Sequence, residues 1–280
     1  MIHDYTQQDA NDLISSYLRS DKLFTYGRFG IGYETFIPYM IEHKYDYTSQ
    51  LSKAHLHSGL YGNPSDIMYY YDKFIESINE RDIFLTWGGG MGKYEDYFLN
   101  KYNKNSVNNI YVDAGTNESF RYSDPFTYFF EGKRVLVINN FTESIKKQWE
   151  IKDKLFKDPK VLPDFELITY KSVSSFLMNT PHSGWRESYE RMVDDISKIE
   201  FDIALVGAGS YTQPIINTIK KMGKTAFNLG GGTPLYFGVM GSRWKQDKNI
   251  ENVINKEYWI TPLKEETPDN NKLIEGGCYW

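Results

Sequence analysis

An arginine and a glutamate flank a glycine-rich turn near the start of the chain. The turn reads Gly27-Arg28-Phe29-Gly30-Ile31-Gly32-Tyr33-Glu34 and follows a short run with the length of a strand. A guanidinium at such a turn can bind a phosphate or a carboxylate, and a carboxylate can act as a metal ligand or a general base. The alternative interpretation is structural, with the glycines forming a tight turn and Arg28 paired with Glu34.

A second glycine-rich loop follows the apolar run from Ile83 to Trp87. It reads Gly88-Gly89-Gly90-Met91-Gly92-Lys93 and precedes a helical pattern. An ATP-hydrolysing phosphate loop needs two glycines around four residues and then Lys-Ser or Lys-Thr, whereas Lys93 is followed by Tyr94. ATP hydrolysis is therefore not predicted. Backbone amides and a lysine at a strand-to-helix turn still suit an anion, and a plain tight connection is the alternative.

Two further glycine turns lie in the stretch from Phe201 to Gly238. One apolar run ends at Gly207-Ala208-Gly209-Ser210, a helical pattern follows, and the next run ends at Gly230-Gly231-Gly232-Thr233. This is the pattern of a βαβ unit with a loop of small residues at the carboxyl end of each strand. Helix amino termini at such ends offer unpaired N–H groups, so the stretch predicts a phosphorylated ligand.

Polar residues follow two other predicted strands. Asp113 comes after the run Asn109 to Val112, and Asn139 comes after the run Arg134 to Ile138. Both positions favour a ligand contact, and Asp113 suits a turn cap equally well. Ser144 is predicted to be the N-cap of the next helix.

Six loops of small or polar residues thus follow predicted strands. They come after Tyr26, Trp87, Val112, Ile138, Val206 and Leu229. Helical patterns separate several of these strands, and Pro38 places the start of one helix near Ile37. Because the carboxyl ends of parallel strands share an edge, the sequence predicts an α/β, Rossmann-like, mostly parallel sheet flanked by helices, with the ligand at that edge.

Length and composition narrow the class of protein. The chain has 280 residues, a net charge of −5 and a single cysteine, Cys278. We predict a single domain over residues 1–280, with a candidate sub-boundary near residues 158–163 and a docked tail over residues 241–280. The charge disfavours nucleic acid as a partner. The absence of a long apolar window or a signal-peptide pattern predicts no membrane span and a cytoplasmic location, and the oligomeric state is not predicted.

Other chemistries have weaker support in the sequence. The turn Gly207-Ala208-Gly209 could bind a nicotinamide dinucleotide, but Thr212 stands where the third glycine belongs and the next strand ends near Asn228 instead of at an acid. A Gly-x-Ser-x-Gly elbow is absent. Carboxylates, arginines and backbone amides remain, and these suit group transfer from an activated phosphate ester. An NAD(P)-linked oxidoreductase and a non-catalytic protein that binds a phosphorylated ligand remain alternatives.

Two segments resemble the GT-D type glycosyltransferases. The stretch from Ile203 to Gly230 is similar to the last βαβ unit of that group, and Arg28-Phe29-Gly30 with Glu34 is similar to its Arg-Phe-Gly-Asp-Gly-Glu signature. In that signature the Asp and Glu bind a divalent metal beside a nucleotide-sugar diphosphate. Here Ile31 stands at the Asp position, and Glu34 lies one residue farther along. The chain also resembles proteins of polysaccharide-synthesis loci that end in Gly-Gly-Cys-Tyr-Trp.

The resemblance implies a glycosyltransferase that moves a sugar from a nucleotide-sugar donor to a glycan or related acceptor in polysaccharide biosynthesis. It implies Mn²⁺ or Mg²⁺ as the metal, Glu34 as its ligand or as the general base, and Arg28 as the contact to the diphosphate. The candidate donor-binding residues are Gly27, Gly30, Gly88, Gly89, Gly90, Lys93, Asp113, Asn139, Gly207, Gly209, Ser210, Gly230, Gly231, Gly232 and Thr233.

Overall fold

Seven parallel strands form the centre of the fold. The computed structural model describes residues 5–20, 22–30, 32–87, 92–103 and 110–280. The strands are β1 (Thr25–Arg28), β2 (Ile83–Thr86), β3 (Ile110–Asp113), β4 (Arg134–Asn139), β5 (Glu166–Lys171), β6 (Ile203–Gly207) and β7 (Thr225–Asn228). Their order is β3-β2-β1-β7-β6-β4-β5, and every neighbouring pair is parallel. The predicted α/β, Rossmann-like sheet is confirmed.

Helices cover both faces of this sheet. Within the described ranges the α-helices are α1 (Gln7–Arg19), α2 (Tyr33–Glu42), α3 (Leu51–Ser58), α4 (Pro64–Asn79), α5 (Lys93–Tyr102), α6 (Thr142–Trp149), α7 (Trp185–Ser197) and α8 (Thr212–Lys221). Local chemistry explains several boundaries. At α4, for example, Asn63 accepts hydrogen bonds from the amides of Ser65 and Asp66, and Pro64 occupies the first helical position.

The two faces have separate cores. Along β4, Val135 and Val137 pack with α1 and α6, whereas Leu136 and Ile138 pack with α2, α3, α4, α5, α7 and α8. All four of these side chains are fully buried, which is the pattern of a central strand in a parallel sheet. We call the α1 and α6 side the first layer, and the opposite side the second layer.

Helix α2 begins earlier than the sequence predicted. It starts at Tyr33 after Gly32, and Pro38 lies inside it instead of near its start. Proline has no N–H, so the carbonyl of Glu34 lacks its usual partner one turn later. The hydroxyl of Tyr70, a buried residue of α4, donates to that carbonyl at 2.5 Å. A contact from a distant helix therefore compensates for the proline.

The carboxyl-terminal part of the chain packs on the first layer. Ile250 and Ile254 are buried in its core, and so are Val161 and Leu162 from the proposed sub-boundary. The domain limits at residues 158–163 and 241–280 remain predictions. Within the described ranges no helix combines the length and apolar character needed to cross a membrane.

A carboxylate from residues 241–280 binds the amino terminus of α6. Glu266 accepts hydrogen bonds from the amides of Glu143 and Ser144 at 2.8 and 3.0 Å, and from the hydroxyl of Ser144. The prediction that Ser144 is the N-cap is wrong, because α6 begins at Thr142. A helix amino terminus favours an anion, and here the chain itself supplies one.

Gly207 permits a close approach between the ends of β6 and β7. A Cβ atom at Gly207 would lie 2.3 Å from the carbonyl oxygen of Gly230 and 2.5 Å from the hydroxyl oxygen of Thr233. At Gly232 the nearest heavy atom to an added Cβ is the side-chain nitrogen of Asn117, 3.7 Å away. The same loop cluster thus contains one crowded glycine and one with room for a methyl group.

We expect Gly207→Ala to lower the free energy of unfolding by about 2 kcal/mol, because overpacking at a rigid position typically costs about 1–3 kcal/mol. The matched variant Gly232→Ala should change it by less than about 0.5 kcal/mol. Urea unfolding of both variants measures the difference. Equal effects of the two substitutions would contradict the packing described here.

Candidate functional site

At the carboxyl edge of the sheet several neighbouring strands lead into opposite layers, and the β1/β7 and β4/β6 pairs are two of these points that carry predicted site residues. After β1 the chain enters the second layer, where Ile37 of α2 is buried, and after β7 it enters the first layer, where Leu235 is buried. The same divergence occurs at β4 and β6, which lead to Ile145 and Ile215 in opposite layers. Ligands of open α/β sheets bind at such points, because the diverging loops leave a cleft between the strand ends. We call the two clefts the β1/β7 crevice and the β4/β6 crevice.

Polar groups of the chain fill the β4/β6 crevice. The side-chain amide of Asn139 donates to the carbonyl of Gly207 at 2.9 Å, and its oxygen accepts from the amide of Phe141 at 3.0 Å. The amide of Ala208 donates to the hydroxyl of Thr212 at 2.7 Å. Asn139 and Gly207 thus lie together at the predicted edge, but their polar groups are engaged with the chain itself.

The β1/β7 crevice contains the side chain of Arg28. This residue ends β1, is partly buried, and places its guanidinium carbon 4.6 Å from the ring centroid of Trp87. A Cβ atom at Gly230 would lie 3.4 Å from its Nη2. Within the part of the chain that the structure describes, no acceptor pairs with this guanidinium. Burial lowers the pKa of Arg28, while Tyr279 and Glu118 act in the opposite direction.

A partly buried cation without a counter-ion is costly, because desolvation is not repaid by an ion pair. A bound anion would repay it through charge-assisted hydrogen bonds to a planar guanidinium. The main chain at Arg28 is in contrast well satisfied, since its carbonyl accepts from Gln213 at 2.8 Å and from Asn228 at 2.9 Å. The β1/β7 crevice therefore has the electrostatics of an anion site.

Glu34 lies in the first turn of α2, beside the end of β1. The hydroxyl of Ser58 donates to its Oε2 at 2.6 Å. A Cβ atom at Gly30 would lie 1.7 Å from its Oε1, and one at Gly32 would lie 2.7 Å from Oε2. These two glycines therefore let the Glu34 side chain fold back over the turn. Its carboxylate lies next to the loop that leaves Arg28.

The loop after β7 supplies four of the predicted residues. Gly230 has a φ of +52°, which favours glycine, and its carbonyl accepts from the hydroxyl of Thr233 at 2.8 Å. Gly231 lies against the ring of Tyr279, since an added Cβ would be 2.5 Å from the ring carbon Cε1. Gly232 faces Asn117, and Thr233 is fully buried. Gly230 and Gly231 are thus the members of this loop nearest to Arg28 and its surroundings.

Three other predicted residues serve contacts within the fold. Gly27 lies inside the sheet, where an added Cβ would be 2.4 Å from Cβ of Asn228. Gly209 has a φ of +56° and packs near the carbonyl of Ser58. Ser210 is buried and accepts a hydrogen bond from the indole of Trp185 at 2.9 Å. The Ser210 side chain is thus part of the core, where it contacts Trp185.

The last predicted residues are Asp113 at the edge strand, Lys93 at the start of α5, and three glycines outside the described part of the chain. Asp113 accepts from the amide of Gly115 at 2.8 Å and from the side chain of Gln7 at 2.5 Å, which makes it a cap at the edge strand β3. Lys93 begins α5 with an exposed side chain. Gly88, Gly89 and Gly90 lie outside the described residues.

Glu95 is a buried acid that the sequence analysis missed. It is 2% exposed, and its Oε2 accepts from the amide of Trp87 at 3.0 Å, while Oε1 has no hydrogen-bond partner within the described ranges. The indole of Trp87 donates to the carbonyl of Phe29 at 3.1 Å. These contacts fix the ring on which Arg28 lies. An acid at the third position of a helix was the available sequence signal, because that position commonly bonds amides near the helix start.

Burial raises the pKa of Glu95 to about 7, and the hydrogen bond from Trp87 opposes the shift. The unfolded chain releases this proton near pH 4.5, whereas the native protein retains it up to about pH 7. The free energy of unfolding should therefore fall by about 3 kcal/mol as the pH rises between these values, at about 1.36 kcal/mol per pKa unit. In Glu95→Gln this contribution should be absent.

Urea unfolding of both proteins between about pH 4.5 and pH 8 measures the effect. The difference between the two stability curves isolates Glu95, since the other titrating groups are common to both proteins. Parallel curves would contradict the assignment.

Glu34 is the carboxylate that could hold a divalent cation in the β1/β7 crevice. Among the residues described, no group of three or more His, Cys, Asp or Glu side chains could bind a metal. Mg²⁺ commonly takes one or two carboxylates and completes its shell with waters and substrate phosphates. Glu34 fits that arrangement, in which the phosphorylated ligand supplies the remaining oxygens.

The chain is similar to one family of known proteins. The model of the GT-D-like family, described as a GT-D fold-like domain, matches residues 95–235, about half of the chain. The search of curated proteins gives no match. A solved structure described as "Selenomethionine substituted structure of domain of unknown function 1792" is similar at 11% sequence identity, over 80% of this chain and 77% of that one, with a TM-score of 0.43.

Proposed function

The chain belongs to the GT-D-like family, and from that premise we propose that it transfers a glycosyl group from a nucleotide-sugar donor to a glycan or related acceptor. The observation that carries the proposal is the Arg28 guanidinium, which lies in the β1/β7 crevice without a paired acceptor in the described part of the chain. The diphosphate of a nucleotide sugar is an anion that could accept charge-assisted hydrogen bonds from this guanidinium. A role in polysaccharide biosynthesis and a cytoplasmic location remain predictions.

The reaction requires the bond between the sugar C1 and the phosphate oxygen to break as a bond from an acceptor oxygen to C1 forms. The electron pair leaves with the nucleoside diphosphate, and the acceptor hydroxyl loses its proton. Arg28 would stabilise the negative charge that develops on the leaving diphosphate. The amino terminus of α2, where Gly32 provides no side-chain cap, would offer backbone N–H groups to the same anion.

Glu34 would serve the acceptor side of this reaction. The hydrogen bond from Ser58 holds Oε2, while Oε1 lies beside Gly30. In this position Glu34 would accept the acceptor proton as a general base, or it would hold Mg²⁺ or Mn²⁺ together with the donor phosphates. A bound divalent ion would supply positive charge to the leaving diphosphate.

We expect Arg28→Gln to weaken the binding of a nucleoside diphosphate by about 10- to 100-fold, because a hydrogen bond to a charged group contributes about 1.5–3 kcal/mol. Thermal shifts with a panel of nucleotide sugars and nucleoside diphosphates measure binding, since a ligand at a hundredfold excess over Kd stabilises by about 2.7 kcal/mol. Arg191→Gln is the matched control, because Arg191 is exposed and paired with Glu187 on α7. A wild-type protein that shifts with no ligand of the panel would remove the proposal.

Glu34→Gln should bind the donor and lose about 10²- to 10⁴-fold of the transfer rate, the usual contribution of general acid–base catalysis. Release of nucleoside diphosphate, measured over a series of Mn²⁺ and Mg²⁺ concentrations, separates the two roles. A metal ligand predicts that excess metal partly restores the variant, whereas a base predicts that it does not. Transfer at the wild-type rate in Glu34→Gln would exclude both roles of Glu34, whereas donor binding without transfer in the wild type would leave a protein that only binds the ligand.

A further inference from the structure

Residues 241–280 bring a second arginine close to the loop after β7, which borders the β1/β7 crevice. The ring of Tyr279 packs against the loop after β7, where a Cβ atom added at Gly231 would be 2.5 Å from its Cε1. The guanidinium carbon of Arg243 lies 4.8 Å from the centroid of the same ring. The neighbouring Gly230 is the glycine that faces Arg28. Tyr279 therefore connects Arg243 to the loop beside Arg28.

Several contacts fix this part of the chain. The amide of Ser242 donates to the carbonyl of Trp280 at 3.0 Å, and the amide of Arg243 donates to the carbonyl of Cys278 at 3.1 Å. The Trp280 indole donates to the carbonyl of Glu266 at 3.0 Å, and its ring lies 6.2 Å from the ring of Phe141, which follows β4. Tyr279 and Trp280 thus cross from the end of β7 to the end of β4.

Arg28 and Arg243 lie beside the same loop, Arg28 against Gly230 and Arg243 through the ring of Tyr279 that contacts Gly231. Arg243 is paired with Glu275 and also contacts the sulfur of Cys278 at 3.1 Å. Burial is the main cause of the lowered pKa of Arg28, and the positive charge of Arg243 lowers it further, while Glu118 acts against the shift. Two guanidinium groups beside one loop can bind a dianionic group together, because each donates charge-assisted hydrogen bonds to it.

We propose that Arg243 binds the donor diphosphate together with Arg28, and that Tyr279 is a positioning residue that holds Arg243 by its ring. This inference rests on the proposed function and deepens it, because it assigns the second phosphate-binding group. The side chains of Arg243 and Glu275 are 40% and 52% exposed, and exposed ion pairs contribute little to the free energy of unfolding. Substitutions at either position should therefore leave the protein folded.

A purely structural role for Arg243 makes a different prediction. If Arg243 only stabilised the position of residues 275–278, then Arg243→Gln and Glu275→Gln would change anion binding in the same direction. If Arg243 binds the diphosphate, Glu275 competes with the ligand for the guanidinium. Arg243→Gln should then weaken anion binding, and Glu275→Gln should strengthen it.

Isothermal titration of the full chain with inorganic pyrophosphate tests this assignment without a known sugar. We expect Arg243→Gln to raise Kd about tenfold, Arg243→Lys to raise it less, and Glu275→Gln to lower it severalfold, in line with the strength of charge-assisted hydrogen bonds. Tyr279→Leu removes the ring and should behave like Arg243→Gln, whereas Tyr279→Phe keeps the ring and should raise Kd less than Tyr279→Leu. Arg191→Gln is the control, and circular dichroism checks folding.

The outcomes separate this inference from the proposed function. Binding that depends on Arg28 but is unchanged in Arg243→Gln, or shifts the same way in Arg243→Gln and Glu275→Gln, would overturn the role of Arg243 and leave the proposed function standing. A wild type that binds neither pyrophosphate nor any nucleoside diphosphate would overturn both. If Kd for pyrophosphate rises in Arg243→Gln and falls in Glu275→Gln, the anion site is supported. If the same protein transfers no sugar, the transferase proposal is overturned.

Discussion

The position of the Arg28 guanidinium at the end of a buried strand is the constraint on which the site depends. A cation there loses hydration, and the surrounding structure compensates in several ways. The ring of Trp87 lies beneath it, the carbonyl of Phe29 fixes the indole of Trp87, and Glu95 holds the amide of Trp87. These contacts keep the side chain in place without neutralising its charge. In the described part of the chain the guanidinium still has no paired acceptor, and a bound anion could supply one.

The parallel sheet explains why this demand arises at one edge. All seven strands point the same way, so every strand end and its following loop lies on one side of the molecule. The two crevices at that edge differ in how their polar groups are used. Asn139 and Glu266 bind backbone groups of β6 and α6, whereas the guanidinium of Arg28 at β1 has no acceptor in the described ranges. The fold therefore fills one anion-binding position with its own carboxylate, and in the described ranges it gives the guanidinium of Arg28 no acceptor.

The residues with proposed chemical roles flank the region that the family model matches. That region, residues 95–235, contains β3 to β7 and the loop after β7. Arg28 and Glu34 precede it, and Arg243 and Tyr279 follow it. The matched region thus provides the strand ends and the glycine loop, while contacts from both sides of it build the polar part of the crevice. The packing of Tyr279 on Gly231 joins the two parts.

Much of the fold could be predicted because its signals are local. The run Arg134 to Ile138 is strand β4 in the structure, extended by one residue, and the apolar run Ile83 to Trp87 contains strand β2. Periodicity and capping act between residues a few positions apart, so they are visible in the sequence. The prediction of a helix start near Ile37 is wrong, because the interaction that allows an earlier start is not local. Tyr70, which is distant in the sequence, supplies the hydrogen bond that lets Pro38 lie within α2.

The sequence alone determined which small and charged residues follow each strand, since strand ends and glycine turns are fixed by neighbouring residues. Tertiary structure decided which of them meet. It placed the side chain of Ser210 in the core against Trp185, and it joined Asp113 to Gln7 of α1. It also brought Arg243 and Tyr279 to the loop after β7, although the local sequence patterns end before these two residues. Such contacts depend on how layers pack across the sheet, and no periodic pattern encodes them.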